Sequence, residues 1–146
     1  WSQDDDLVIG GDQLLPGISP NLGVYPSEPD ANPVQDWLDS CARLAALAEP
    51  RHLVLPGHKL PFRGLPARLA AMTENHESAL TRLAEELGRA PRTAVDCFDL
   101  LFKRRIGDGE FGLAVVEAVA HINCLAHRGL IAPVGVTNDG GTLWGA

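Results

Sequence analysis

Two short stretches of this chain each place a polar side chain just past an apolar run. In the first, Leu7-Val8-Ile9 is followed by Gly10-Gly11 and then Asp12. In the second, Leu53-Val54-Leu55 is followed by Pro56-Gly57 and then His58. Each apolar triplet reads as a short buried strand stopped by a Gly or Pro turn. In sheets built with helices, ligands bind beyond the carboxyl ends of the strands. A carboxylate and an imidazole delivered there suit metal binding or acid–base chemistry. Each residue alone also has a plainer reading, with Asp12 capping a turn and His58 hydrogen-bonded within one.

The elements that must position these residues alternate in type. Residues 13–34 carry Pro16, Pro20, Pro26, Pro29 and Pro33, so neither a helix nor a central strand persists there. Gln13, Ser19, Asn21 and Tyr25 in this loop could line a site or satisfy the loop's own backbone. Asn32-Pro33 opens a helix running to about residue 48, with Trp37, Leu38, Cys41, Leu44 and Ala45 on one stripe. The strand at 52–55 follows. Strand, loop, helix and strand make half of an α/β layered unit. No further strands of that sheet are evident, so residues 1–72 are expected to leave an apolar face or sheet edge exposed.

A helix over about 67–87 carries Leu69, Met72, His76, Leu80, Leu83 and Leu87 on one stripe, and His76 is expected as a core or interface histidine. Thr93, with Asp96 three residues on, caps a second helix whose apolar face is Val95, Phe98, Leu101 and Phe102. Lys103-Arg104-Arg105 gathers at its end. A third helix spans about 110–128, and two strands at 130–136 and 142–145 flank the hairpin signal Asn138-Asp139-Gly140-Gly141. Three helices and a hairpin form a winged-helix arrangement. Its third helix has no Lys or Arg between Glu110 and His127 and carries Glu117, and residues 73–146 hold seven Lys and Arg against ten Asp and Glu. The module is therefore expected to pack or to form a homodimer. The alternative is a DNA-binding winged helix acting through residues 103–105.

Composition narrows the classes. A formal net charge of −7 over 146 residues disfavours broad nucleic-acid binding. No run is expected to reach the ~20 apolar residues of a membrane span. Asp4-Asp5-Asp6 reads as a solvated charge run. The start on Trp1 rather than Met, with an acidic rather than apolar leader, suggests a fragment or processed piece. Cys41, Cys97 and Cys124 are far apart and odd in number. They are expected as buried free thiols in a reducing, cytoplasmic compartment.

Gly11-Asp12-Gln13-Leu14-Leu15-Pro16, Ile18-Ser19-Pro20-Asn21 and Leu55-Pro56-Gly57-His58 occur in an order that resembles the C-terminal part of metallo-β-lactamase-fold hydrolases. With Asn32-Pro33 and the helix after it, the resemblance is to the glyoxalase II-like branch that carries a winged-helix tail, and it covers nearly the whole chain. It implies an α+β fold, with residues 1–72 a partial αββα layer and residues 73–146 the winged-helix domain. It implies that Asp12 bridges two divalent metal ions and that His58 binds the second. The ions would be zinc, or iron or manganese. A water acidified by them would attack an ester, thioester or amide of a small-molecule substrate.

The departures carry equal weight. The family's His-x-His-x-Asp-His signature is absent, and no histidine precedes Asp12. The chain would thus supply two protein ligands of a binuclear site, where zinc sites use three or four. The N-terminal half would have been removed or would lie on another polypeptide, and this chain alone is expected to be inactive. Lys59 stands where the family often has a second glycine, to contact an anionic substrate or to point to solvent.

Overall fold

The computed structural model describes residues 1–2, 4–102 and 104–146, so Lys103 of the basic trio lies outside the described residues. In chain order the elements are β1 (Leu7–Gly11), α1 (Pro33–Ala45), β2 (Leu53–Pro56), α2 (Leu65–Arg89), a 3-10 turn (Val95–Cys97), α3 (Phe98–Leu101), a second 3-10 turn (Asp108–Glu110), α4 (Phe111–His127), β3 (Ala132–Val136) and β4 (Thr142–Gly145). The chain divides into two compact units, residues 1–20 with 38–76 and residues 21–37 with 77–146.

In the first unit β1 and β2 pair in parallel, with Leu7 opposite Leu53, Val8 opposite Val54 and Ile9 opposite Leu55. Side chains alternate across a strand, so Val8 and Val54 share one face. Both are buried, as are Leu14, Leu15, Leu38, Cys41, Leu65, Leu69 and Met72 of the same unit. The opposite face carries Leu7, Ile9, Leu53 and Leu55. Ile9 is 80% exposed there, and the three leucines are half-buried. Parallel sheets are ordinarily covered on both faces, and a two-stranded sheet is marginal alone. The expected open apolar face is therefore present. The other edge of β2 exchanges backbone hydrogen bonds with Phe62 (2.8 and 3.1 Å).

Helix ends depart from the sequence pattern by a turn or less. The N–H of Gln35 donates to Asn32 Oδ1 (3.3 Å), which caps α1 ahead of Pro33. That helix ends at Ala45, short of residue 48, because Leu47 N–H closes a tight turn on the Leu44 carbonyl (3.0 Å). α2 begins at Leu65, since Pro66 is tolerated in a first turn where no backbone donor is required.

In the second unit the helix expected after Thr93 shrinks to the 3-10 turn and the four residues of α3. The cap position of the turn is Ala94 rather than Thr93, but the expected pair still bonds: Thr93 donates from N–H and Oγ1 to Asp96 Oδ2 (3.0 and 2.7 Å), and Asp96 N–H returns to Thr93 Oγ1 (3.4 Å). Phe102 then turns extended and ends it. α4 is the core helix of this unit, burying Ala114, Ala118, Ala120, Ile122, Cys124 and Leu125. Residues Asp108–His127 have a mean hydropathy of 1.3 and are long and apolar enough to cross a membrane, against the expectation that no run would be. The C-terminal half of α4 fills a core, where Asn123 donates to the carbonyls of Pro29 (2.8 Å) and Ala31 (2.9 Å), while Phe111 and Leu113 at its start are exposed.

β3 and β4 form the expected antiparallel hairpin, and Trp144 of β4 exchanges backbone bonds with Arg92 (3.0 and 2.9 Å). All three cysteines are free and buried. Burial pushes the Cys41 and Cys97 thiols up to about 11.

Candidate metal centre

The in-register parallel pairing sets the carboxyl ends of β1 and β2 side by side. Asp12 Oδ1 thereby comes within 3.5 Å of His58 Nε2, with both side chains more than half exposed. Three glycines make this approach possible. The register slips between Ile9 and Gly11, so Gly10 is an extra residue that bends β1 as a bulge does. A Cβ on Gly10 would stand 2.8 Å from Leu14 Cβ and 3.0 Å from Val54 Cγ1. Gly11 has φ +50°, a left-handed conformation suited to glycine. Gly57 N–H then donates to the Gly11 carbonyl at 2.8 Å, tying the two turns together. A Cβ on Gly57 would sit inside contact distance of Asp12 Oδ1 and 3.2 Å from the Gly11 carbonyl carbon.

A carboxylate oxygen and an imidazole nitrogen at this separation are a donor set for zinc, iron or manganese. They fit part of a metal site. Among the described residues no group of three or more His, Cys, Asp or Glu could hold a metal ion. The other histidines serve the structure around them. His52 is buried, accepts the Glu49 N–H at Nδ1 (3.0 Å) and packs edge-on against Trp1. His76 is buried on α2, as its stripe position predicts. His121 Nδ1–H donates to the Glu117 carbonyl (2.8 Å), and burial lowers its pKa. His127 Nε2–H donates to the Asp30 carbonyl (3.1 Å). Asp6, last of the acidic run, pairs with Arg51 (2.8 Å).

The expected substrate contacts fall in different places. Lys59 follows His58 directly, is exposed, and is the one non-glycine described residue with a positive φ, at +72°. Asn21 and Tyr25 belong to the second unit. There the Asn21 side-chain amide donates to Glu117 Oε2 (2.9 Å), so it holds the loop to α4. Gly23 lies so close to α4 that a Cβ would meet Val116 Cγ2 at 2.8 Å, and Val24 N–H donates to the Val116 carbonyl (3.0 Å). Tyr25 is half exposed, and Gln13 Nε2 points to Cys41 Sγ (3.7 Å).

Two residues take roles that the sequence did not assign them. Burial raises the Glu117 carboxyl above the usual carboxylate range, with the Asn21 amide opposing it. Arg68 donates from Nε to the Leu15 carbonyl (2.6 Å) and from Nη2 to the Ile18 carbonyl (2.8 Å). Its signal was its spacing, three residues after Leu65 and four before Met72, which puts a cation on the inward stripe of α2.

Comparison with known proteins bears on the class. Residues 80–137 match the family model described as the metallo-beta-lactamase-like C-terminal domain. Over 95% of its length the chain is similar to a beta-lactamase domain protein from Burkholderia ambifaria, at 33% identity and a TM-score of 0.88, covering 41% of that structure. It is also similar, over 96% of its length, to a metallo-beta-lactamase family protein from Thermus thermophilus, at 27% identity and a TM-score of 0.75, covering 42% of it. No curated protein matches the chain. Residues 80–137 thus resemble a metallo-beta-lactamase-like C-terminal domain, and the chain has a mixed α and β fold consistent with a partial metallo-beta-lactamase fold. It spans about two fifths of the length of these structures.

Proposed function

We propose that this chain is the C-terminal part of a metal-dependent hydrolase, in which Asp12 and His58 are two protein ligands of a binuclear centre. The observation that carries the reading is the 3.5 Å approach of Asp12 and His58 at the ends of two paired parallel strands. Asp12 would bridge the ions and His58 would bind one of them. When bound, two zinc ions (or iron or manganese) supply Lewis acidity and acidify water for attack on an ester, thioester or amide carbon. The remaining ligands would come from a preceding half of the same domain. That half would also cover the face of Leu7, Ile9, Leu53 and Leu55, and this chain alone would be inactive.

The glyoxalase II-like branch remains part of this proposal, as does the division into residues 1–72 and a winged-helix tail at 73–146. The order of helices and hairpin supports the tail. The scarcity of cations on α4 favours packing or homodimerisation over DNA binding. Three buried free thiols suit a reducing, cytoplasmic location.

The test is hydrolysis of a panel of activated esters and thioesters by the parent protein and by this chain. The parent should turn over substrate, lose activity to a chelator and regain it with added metal. Asp12→Asn and His58→Ala should each cost at least about a hundredfold, beyond the usual cost of losing an outer partner of a metal ligand. Turnover that survives chelation or both substitutions would refute the reading, as would turnover by this chain alone.

A further inference from the structure

The loops that leave Asp12 and His58 face one another across a groove of about 560 Å³. Residues 16–18 form one wall, and Leu60, Pro61 and Phe62 form the other, with Lys59 at the lining. This is the size and character of a small-molecule site, mostly apolar with a few polar groups. A smaller hollow of about 230 Å³ shares Gly17 and Ile18 with it and is lined by Ser19 and Arg68. No acidic residue lines either space. Among the described residues neither Lys59 nor Arg68 has a carboxylate within ion-pair distance. Two uncompensated cations therefore flank an apolar groove in a chain whose net charge is −7.

The backbone adds an independent observation. Lys59 holds a left-handed φ of +72°, a conformation that a long side chain adopts at a cost. The strain falls at the residue that follows His58 and lines the groove. Arg68 acts differently. Its guanidinium is spent on the Leu15 and Ile18 carbonyls, so it positions the wall and leaves its positive charge beside it.

We propose that this groove binds an anionic small molecule with an apolar body, its negative group held by Lys59 and its body lying against Ile18, Leu60 and Phe62. The proposal rests on the hydrolase reading and names the substrate class of that site. A single-stranded nucleic acid is disfavoured, because tracking a phosphate backbone takes a row of cations, whereas this groove is lined by Lys59 with Arg68 in the hollow beside it.

The test is an amide NMR titration of this chain, in the presence of a chelator, with octanoate, octanol, octylamine and a single-stranded RNA octamer. Octanoate should saturate and shift the amides of Gly17, Ile18, Leu60 and Phe62, binding more tightly than the other three. Lys59→Gly and Lys59→Asn both tolerate a positive φ, so they should leave the melting temperature unchanged or raised. Each should weaken octanoate about twofold to fivefold, the upper range of one exposed ion pair. The proposal is overturned if octanol or octylamine binds as well as octanoate, if the RNA binds more tightly, if nothing saturates, or if the Lys59 variants bind as the wild type does. Because the metal is chelated throughout, failure here leaves the hydrolase reading intact, and loss of metal-dependent turnover in the parent would leave this result intact.

Discussion

Replacing Ile9 by Thr separates an open sheet face from a covered one. Thr keeps the β-branch that suits a strand, so the change reports burial rather than propensity. Fully burying an isoleucine is worth roughly 1.5–3 kcal/mol. Ile9 is 80% exposed, so the remaining fifth contributes only about 0.3–0.6 kcal/mol in this chain. Val54, opposite in facing and fully buried, is the internal control. Val54→Thr puts a hydroxyl into the core and should cost about 1–3 kcal/mol. In the parent protein, where the second half of the domain would lie on the outer face, Ile9→Thr should cost about 2–4 kcal/mol. Urea unfolding with an unchanged m-value measures each. If Ile9→Thr costs this chain as much as Val54→Thr does, the face is already covered. If it costs the parent nothing, no other part of the domain lies there, and the account of an incomplete sheet fails.

Three further expectations follow from particular contacts. Gly57→Ala presses a methyl onto the Asp12 carboxylate. That group is exposed and can swing away, so stability should fall by no more than about 1–2 kcal/mol, while the parent's metal content falls with the lost approach to His58. Asn21→Ala removes the amide that serves the half-buried Glu117 carboxyl. It should destabilise the chain by about 0.5–1.5 kcal/mol in thermal or urea unfolding, and an unchanged midpoint would show that this contact carries nothing. The Cys41 and Cys97 thiols are raised from 9.0 to about 11 by burial. The folded state therefore prefers the protonated thiols, and stability is full below about pH 9 and declines as pH rises toward 11. At pH 8 the native chain should not react with a thiol reagent, whereas the urea-unfolded chain should titrate three thiols; fast native labelling would contradict the burial.

The first unit was readable because its signals are local. Leu7-Val8-Ile9 and Leu53-Val54-Leu55 are matched triplets followed by matched two-residue turns, so parallel pairing brings Asp12 beside His58 without further information. The bulge at Gly10 was not readable, because a slip of register depends on what Gly10 packs against, namely Leu14 and Val54. α3 failed for a related reason. Thr93 and Asp96 announce a helix start and bond to one another just ahead of it, but Phe102 leaves the helix within two turns, and no residue type in the stretch forces that. The grouping of residues 21–37 with 77–146 rests on bonds such as Asn123 to Pro29, 94 residues apart, which no periodicity encodes. Arg68 was visible as a cation on an apolar stripe, but its carbonyl acceptors lie in an irregular loop some 50 residues away.

The most direct measurement of the central claim is elemental analysis of the purified parent protein, its Asp12→Asn and His58→Ala variants, and this 146-residue chain. We expect about two equivalents of zinc, iron or manganese in the parent, a loss of metal in both variants, and none retained by the chain alone. Metal in the parent that neither substitution reduces, or a parent that holds no metal, would show that Asp12 and His58 are turn residues and not ligands.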